Sequence, residues 1–122
     1  MTAQTTQPAS LPWLEKLIAI PTVSGTSNLE LIELIEAEFA RYGYSGVRTY
    51  NEDGTRANLL VTIPAADGTT RGGLILSGHT DVVPVAGQAW DADPFTLRVE
   101  GTRAYGRGVC DMKCFLAVAL WL

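Results

Sequence analysis

The sequence contains very little histidine and cysteine. His79 is the one histidine, and Cys110 and Cys114 are the two cysteines, in a chain of 122 residues. In a reducing compartment we expect both thiols to be free rather than joined in a disulfide. A metal site built from the two thiols is disfavoured, because it would need further Cys or His ligands.

Basic residues are also few, and no long apolar run is present. The chain has 9 Lys and Arg against 13 Asp and Glu, for a net charge of -4. Binding to nucleic-acid phosphates needs a basic surface, and an anionic membrane surface attracts a Lys/Arg run. No stretch reaches the roughly 20 apolar residues that span a bilayer, and the first residues do not resemble a secretory signal. We therefore expect no nucleic-acid partner, no membrane partner and a cytoplasmic location.

Hydrophobic residues make up 47% of the chain, which is enough for a core. Residues 1–9 are polar, and we expect them to form a disordered tail. A first helix is predicted after Ser10, a candidate cap, with Leu14, Leu17 and Ile18 on one face. Pro21 ends this helix, because the residue before a proline disfavours helical backbone. Residues 20–25 are then expected to form a connecting loop.

A second helix has the clearest local signal. Ser27 followed by Glu30 fits a capping box, and Gly43 stands where a left-handed residue would end the helix. Between them, apolar residues repeat at helical spacing, which predicts a surface helix that covers a sheet. These residues are Leu31, Leu34, Ile35 and Phe39.

Strands and turns dominate the middle of the chain. Strands are predicted at 47–50, 58–63 and 73–77, and the last of these is the most buried in character. Asp53-Gly54 and Asp67-Gly68 are predicted turns, and 97–99 is expected to pair with 103–105. A buried helix is predicted from Met112 onward. This order of elements favours a layered α/β architecture with a mixed sheet.

The first candidate site follows the third predicted strand, in the run Ser77-Gly78-His79-Thr80-Asp81. Residues two apart on a strand point to the same face, so His79 and Asp81 are expected to lie together. A metal-bound imidazole usually donates its other N–H to an oxygen acceptor, and Asp81 would fill that role for His79. The alternative is a histidine that is merely hydrogen-bonded at a strand end.

The second candidate site is the run from Tyr105 to Lys113. Gly106 and Gly108 permit an unusual backbone path just before Asp111, which stands at a predicted helix start. The alternative is that Asp111 only caps that helix. Between the two sites, residues 90–95 are interpreted as a surface turn with aromatic anchors, and Asp91 and Asp93 are not assigned to catalysis.

Three ordered blocks together resemble the M20 family of metallopeptidases and amidohydrolases. The blocks are His79-Thr80-Asp81-Val82-Val83-Pro84, then Trp90 with Asp93-Pro94-Phe95, then Tyr105-Gly106-Arg107-Gly108 with Asp111-Met112-Lys113. The resemblance extends back through Pro21-Thr22-Val23-Ser24. Within the family, residues 77–90 are most similar to the acetylornithine deacetylases, with succinyl-diaminopimelate desuccinylases and dipeptidases as alternatives.

The resemblance implies a site, a cofactor and a fold. His79 and Asp111 would be metal ligands, with Asp111 bridging two zinc ions, for which cobalt could substitute. Asp81, counted as catalytic, would support His79. The fold would be a three-layer α/β/α zinc-peptidase-like catalytic domain. The substrate would be a small N-acyl amino acid, such as N2-acetylornithine, which is cleaved to ornithine and acetate in arginine biosynthesis. Relatives often hold the bridging Asp in an unusual, sometimes cis, peptide, and we expect this at Asp111-Met112.

The sequence departs from the family pattern in two respects. The family needs a Glu-Glu pair after the bridging Asp, in which the first Glu is the general base, and further ligands that include a late His. None of these has a counterpart here, and the smaller lid domain, which usually supplies the dimer contact, also has none. Cys114 stands where the family has glycine, and we expect its side chain to crowd the site.

We therefore interpret residues 1–122 as the N-terminal part of a metal-dependent catalytic domain whose intact form would be a homodimer. We expect the 122 residues alone to bind zinc weakly, to lack deacetylase activity and to associate. The competing hypothesis is a non-catalytic α/β module that at most binds a partner. A serine hydrolase is disfavoured, because no Gly-x-Ser-x-Gly motif is present.

Overall fold

The structure is a computed structural model that describes residues 7–122. These residues divide into two compact units, one formed by 7–24 with 78–122 and the other by 25–77. In chain order the elements are α1 (Leu11–Ala19), α2 (Leu29–Arg41), β1 (Gly46–Tyr50), β2 (Ala57–Val61), β3 (Arg98–Glu100), β4 (Arg103–Tyr105) and α3 (Cys114–Trp121). A turn of π-helical type, Val109–Lys113, precedes α3.

The first unit is built around α1. Its buried face consists of Leu14, Leu17 and Ile18, as the helical spacing predicts, and it packs against α3 and the turn before α3. Pro12 stands in the first helical turn, where its missing N–H costs nothing, and the helix ends before Pro21 as predicted. Ser10 is the N-cap residue, although its side chain makes no capping hydrogen bond.

Lys113 is a charged residue inside the core of the first unit. Its side chain has no exposed surface. Burial lowers the pKa of its ammonium group to about 8. The Nζ atom donates hydrogen bonds to the carbonyl oxygens of Leu17 at 2.8 Å and Ile20 at 2.7 Å, which replace hydration of the charge. Lys113 therefore contacts the carbonyl end of α1.

The second unit is a helix packed on a hairpin. β1 and β2 pair antiparallel, with Gly46 opposite Val61 and Tyr50 opposite Ala57. α2 packs against β2 through its buried residues Leu31 and Ile32.

Polar contacts join α2 to both strands of that hairpin. The Asn28 side chain exchanges two hydrogen bonds of 2.9 Å with the backbone of Ala57, at the start of β2. Glu36 forms an ion pair with Arg48 of β1. α2 is thus the sheet-covering surface helix that its sequence predicts.

The α/β class is confirmed, together with both helices, the first two strands and the predicted turns. Gly43, Gly54 and Gly68 all adopt positive φ. β3 pairs with β4 in the expected place, with Arg98 opposite Tyr105. Among residues 7–122 the sheets are two antiparallel pairs, and one isolated parallel bridge joins Val23 to Val82. The three-layer arrangement stays a prediction.

The predicted strand at 73–77 is wrong. Residues 74–78 form no ladder with another strand in the described part of the chain, and the apolar side chains of Leu74 and Ile75 are 83% and 85% exposed. A strand needs a paired neighbour to satisfy its backbone groups, and this segment has none there. The expected tendency of the chain to associate stays a prediction.

Two helix details are also corrected. The N-cap of the second helix is Asn28, not Ser27, so the Ser27–Glu30 capping box does not form. The Ser27 hydroxyl accepts the Leu29 N–H instead. The last helix begins at Cys114 and is not buried, since Ala117 is its one buried residue and Trp121 is 54% exposed. Only the face toward α1 and Gly78 finds neighbours among the described residues. The predicted tail at 1–9 lies largely outside the described residues. No helix in residues 7–122 has the length and apolar character needed to cross a membrane.

Candidate metal-binding site

The His79 segment is held by residues 22–24. The Val82 N–H donates to the Thr22 carbonyl and the Ser24 N–H donates to the Val82 carbonyl, both at 2.9 Å. The Thr22 hydroxyl also donates to the Thr80 carbonyl. Val82 and Thr22 are buried, so this pairing fixes the backbone on which His79 and Asp81 stand. Residues 22–24, which lie within the predicted connecting loop 20–25, are thus part of the framework of the site.

His79 and Asp81 lie together, as predicted, although not because they share a strand. The His79 Nδ1 atom lies 3.2 Å from Asp81 Oδ1 and 3.0 Å from the Asp81 carbonyl oxygen. Neither residue is in a strand, and the first ladder contact of the segment is the bridge at Val82. A segment outside any strand therefore produces the juxtaposition that was expected of a regular strand.

Asp111 stands in an irregular turn rather than at a helix cap. Its backbone is extended, with φ -129° and ψ 98°, and the N-cap of α3 is Lys113. The alternative that Asp111 merely caps the helix is therefore wrong. The Asp111-Met112 peptide is cis, which confirms the expected unusual bond. The predicted unusual backbone path before Asp111 is also confirmed, since Gly108 has φ 87° immediately before the turn.

The His79 and Asp111 side chains converge. The His79 Nε2 atom lies 2.9 Å from Asp111 Oδ1, although the two residues are 32 apart in the chain. The imidazole therefore lies between two carboxylates, with Asp81 at Nδ1 and Asp111 at Nε2. The pair opens into a cavity of about 190 Å³ that Ser24, Val83, Arg107 and Cys110 also line.

The carboxylates set the electrostatics of this cluster. Partial burial lowers the pKa of His79, but the hydrogen bond to Asp111 and the contacts with Asp81 outweigh it and leave the pKa raised. The hydroxyl of Ser24 donates to Asp81 Oδ2 at 2.6 Å, and this bond, together with the nearby imidazole, lowers the pKa of Asp81. Two carboxylates thus lie against one imidazole in this concavity, an arrangement that favours a cation.

Three side chains important to this site were missed in the sequence: Ser24, Lys113 and Arg107. Ser24 contacts Asp81, and Lys113 anchors the turn that contains Asp111. Arg107 lies over the Trp90 ring and donates to Gln88, which ties the predicted aromatic turn to the cavity wall. The stretches that resemble the family contain all three residues, Ser24 at the end of Pro21–Ser24 and the other two in the last block. Only packing between these stretches assigns them a role.

The expected crowding by Cys114 is not seen. The Cys114 thiol lies 3.6 Å from the carbonyl oxygen of Cys110, one helical turn earlier, and Cys114 is not among the cavity-lining residues. Both cysteines are free, as predicted. Gly78 has the close backbone contacts instead, because a Cβ atom there would lie 2.9 Å from Leu116 and 3.0 Å from Met112.

The donor atoms fit part of a zinc site. Imidazole nitrogen and carboxylate oxygen are usual zinc ligands, and a second carboxylate behind the imidazole is the usual outer partner. The His79 and Asp111 side chains are 47% and 85% exposed, so both can reach a bound ion. Within residues 7–122 no three His, Cys, Asp or Glu side chains are grouped so that they could hold a metal ion.

An imidazole held between two carboxylates supplies donor atoms that can bind a metal ion, and comparison with known proteins indicates which family the chain resembles. Residues 75–122 match peptidase family M20/M25/M40. Over this range the chain is similar to the members of that family. It is 40% identical over 110 residues to proteins named acetylornithine deacetylase from Salmonella arizonae, Salmonella paratyphi B and Salmonella newport. Each match covers 85% of this chain and 28% of the relative's length.

The Ser24–Asp81 hydrogen bond gives a direct prediction. In a Ser24→Ala variant the carboxylate of Asp81 loses the donor that contributes most to its lowered pKa. We expect the pKa of Asp81 to rise toward the ordinary value, as followed by ¹³C NMR of the side-chain carboxyl during an acid titration. Ser27→Ala is the matched control, because the Ser27 hydroxyl accepts a hydrogen bond from the Leu29 N–H and Ser27 lies in the other unit. An unchanged Asp81 titration would contradict the assigned role of Ser24.

Proposed function

We propose that residues 1–122 form part of the active site of a longer metal-dependent amide hydrolase. The observation that supports this best is the placement of the His79 imidazole between Asp81 and Asp111. His79 and Asp111 would hold zinc, two ions with further ligands from elsewhere in the longer protein. When bound, the zinc would supply a Lewis acid and lower the pKa of a water molecule.

The described residues have distinct parts in this proposal. Asp81 accepts the Nδ1 proton of His79 and so leaves Nε2 free to act as a ligand. Ser24 keeps Asp81 ionised and oriented through its hydroxyl. The Asp111 carboxylate has two oxygens and is largely exposed, so it has the chemistry to bridge two ions. Arg107 supplies positive charge to the wall of the same cavity.

The proposed substrate is an N-acyl amino acid, most specifically N2-acetylornithine, cleaved to ornithine and acetate as a step of arginine biosynthesis. The support is the name of the relatives at 40% identity. Succinyl-diaminopimelate and dipeptides are the alternatives within the family. A cytoplasmic location, a homodimer in the longer protein and the use of cobalt in place of zinc belong to the same proposal.

Metal binding by the chain itself is the first test. We expect Zn²⁺ or Co²⁺ to bind weakly, as measured by calorimetric titration. His79→Ala should abolish binding and Asp111→Asn should reduce it, because these side chains are the proposed ligands. Asp91→Asn is the matched control, since it removes one exposed carboxylate outside the His79–Asp111 cavity. Equal binding by all four proteins would place any metal elsewhere.

A chimeric enzyme tests the activity. The aligned part of this chain, which is 85% of it, would replace its counterpart in a Salmonella acetylornithine deacetylase. Acetate release from N-acetylornithine by the chimera, lost in His79→Ala and retained in Asp91→Asn, is the expected result. A folded, zinc-loaded chimera without activity would favour the non-catalytic module instead.

A further inference from the structure

Lys113 has two hydrogen-bond acceptors that lie almost a hundred residues away in sequence. Its Nζ atom donates to the carbonyls of Leu17 and Ile20, 96 and 93 residues earlier. The last carbonyls of a helix have no partner within the helix, and a cation near them also interacts favourably with the helix dipole. Lys113 therefore satisfies the carbonyl end of α1 from the far end of the chain.

The same residue closes the turn that contains Asp111. The Lys113 N–H donates to the Gly108 carbonyl at 2.8 Å, so residues 108–113 form a closed loop with Asp111 inside it. A Cβ atom on Gly108 would lie 3.3 Å from the Lys113 Cδ atom and 2.6 Å from the Val82 Cγ1 atom. The turn is thus packed between the alkyl chain of Lys113 and the segment that contains His79.

Both halves of the site are attached to one short stretch of backbone. The Ile20 carbonyl accepts Lys113 Nζ at 2.7 Å and the Thr22 N–H at 2.9 Å. Two residues further on, Thr22 pairs with residues 80 and 82, on either side of Asp81. A shift of Lys113 relative to Ile20 would therefore move Asp111 relative to His79.

We infer that Lys113 is a positioning residue, which sets the contact between Asp111 and His79 by fixing the Asp111 turn to the carbonyl end of α1. It does not line the cavity, so it acts through Asp111 rather than on a substrate. The inference deepens the proposed function, because it treats the His79–Asp111 pair as the metal site. The test of this inference uses metal-free protein. The positioning role of Lys113 can therefore fail while the proposed metal-dependent activity stands, and the proposed activity can fail while the positioning role stands.

The single histidine supplies a readout of this geometry. The full chain would be labelled with ¹⁵N-histidine, kept in EDTA at one fixed pH and dilute enough to remain monomeric, and the imidazole ¹⁵N shifts of His79 recorded. Asp111→Asn gives the shifts of an imidazole that has lost its carboxylate partner. We expect Lys113→Met, which keeps the alkyl chain and removes the charge, to move the His79 shifts most of the way to the Asp111→Asn values.

Two controls separate positioning from general stability and from charge. Lys16→Met removes an exposed lysine from the last turn of α1 and should leave the His79 shifts unchanged. Leu14→Ala removes a buried side chain from the same helix and should lower the melting temperature, again without moving the shifts. A Lys113→Met protein that melts earlier but keeps wild-type His79 shifts would overturn the inference, because Lys113 would then only stabilise the fold.

Lys113→Gln keeps the experiment decisive if Lys113→Met does not fold. The Gln amide is a neutral donor on a shorter side chain, so it cannot reach both carbonyls as the ammonium does. We expect intermediate His79 shifts from this milder variant. Wild-type shifts in a folded Lys113→Gln protein would overturn the inference in the same way.

Discussion

The polypeptide of residues 1–122, assayed alone with N-acetylornithine in added zinc or cobalt, is expected to show no deacetylase activity. The His79–Asp111 pair would give two protein ligands, and both side chains are substantially exposed. Two ligands do not complete the coordination shell of one zinc ion. These two side chains would therefore hold a zinc ion only weakly, in a cavity open to solvent.

The lack of a general base in the cavity is a second reason to expect no activity. The carboxylates that line the cavity are Asp81 and Asp111, and no Glu is among the lining residues. Asp81 is bonded to Ser24 and His79. Loss of a general base alone typically costs about 10²–10⁴ in rate. The assay would follow acetate release, beside an intact acetylornithine deacetylase as positive control. Turnover near that of the intact enzyme, abolished by His79→Ala, would contradict the expectation.

The sequence predicted the residues of the site better than the elements on which they stand. His79, Asp81 and Asp111 converge, as three ordered blocks with compatible spacing indicated. The argument that residues two apart on a strand share a face predicted the contact between His79 and Asp81 correctly, although neither residue is in a strand. An isolated extended segment has the same two-residue periodicity as a strand, so parity alone does not reveal whether a ladder is present. The metal-ligating roles themselves stay a prediction.

Sequence patterns predicted correctly those elements that are formed by residues close together in the chain. α2 and the hairpin β3–β4 depend on neighbours within a few residues, and both were predicted. The segment at 73–77 and the last helix were assigned to the interior from composition alone. Burial depends on what packs against a segment, and the exposed side chains of Leu74 and Trp121 have few neighbours in residues 7–122. An apolar run predicts a tendency to be buried, not the presence of a partner.

Ser24 and Lys113 could not have been assigned from sequence, for a related reason. A serine in a loop and a lysine near a helix start are ordinary surface residues by type. Their roles come from partners 57 and more than 90 residues away. The one available signal was that both lie in stretches that resemble the M20 family. That resemblance marks the two positions but does not say what the side chains do.

Gly108→Ala is expected to destabilise the chain by two separable effects. Gly108 has φ 87°, a left-handed conformation that costs a residue with a Cβ atom about 1–2 kcal/mol. The added Cβ would also lie 2.6 Å from the Val82 Cγ1 atom, and Val82 is only 3% exposed. A side chain forced into a packed core typically costs about 1–3 kcal/mol more. The added methyl group would force apart the segment that contains His79 and Val82 and the turn that contains Asp111.

Comparison with Gly87→Ala separates the steric overlap with Val82 from the cost of the left-handed backbone. Gly87 has φ 75°, and a Cβ atom there would meet nothing within 4 Å. Both variants lose the same unfolded-state entropy, so their difference in unfolding free energy measures the overlap with Val82. Urea denaturation followed by tryptophan fluorescence would give both values. We expect Gly108→Ala to lose clearly more stability than Gly87→Ala. Equal losses would mean that the Asp111 turn can move away from Val82 without cost, and that packing does not hold Asp111 against His79.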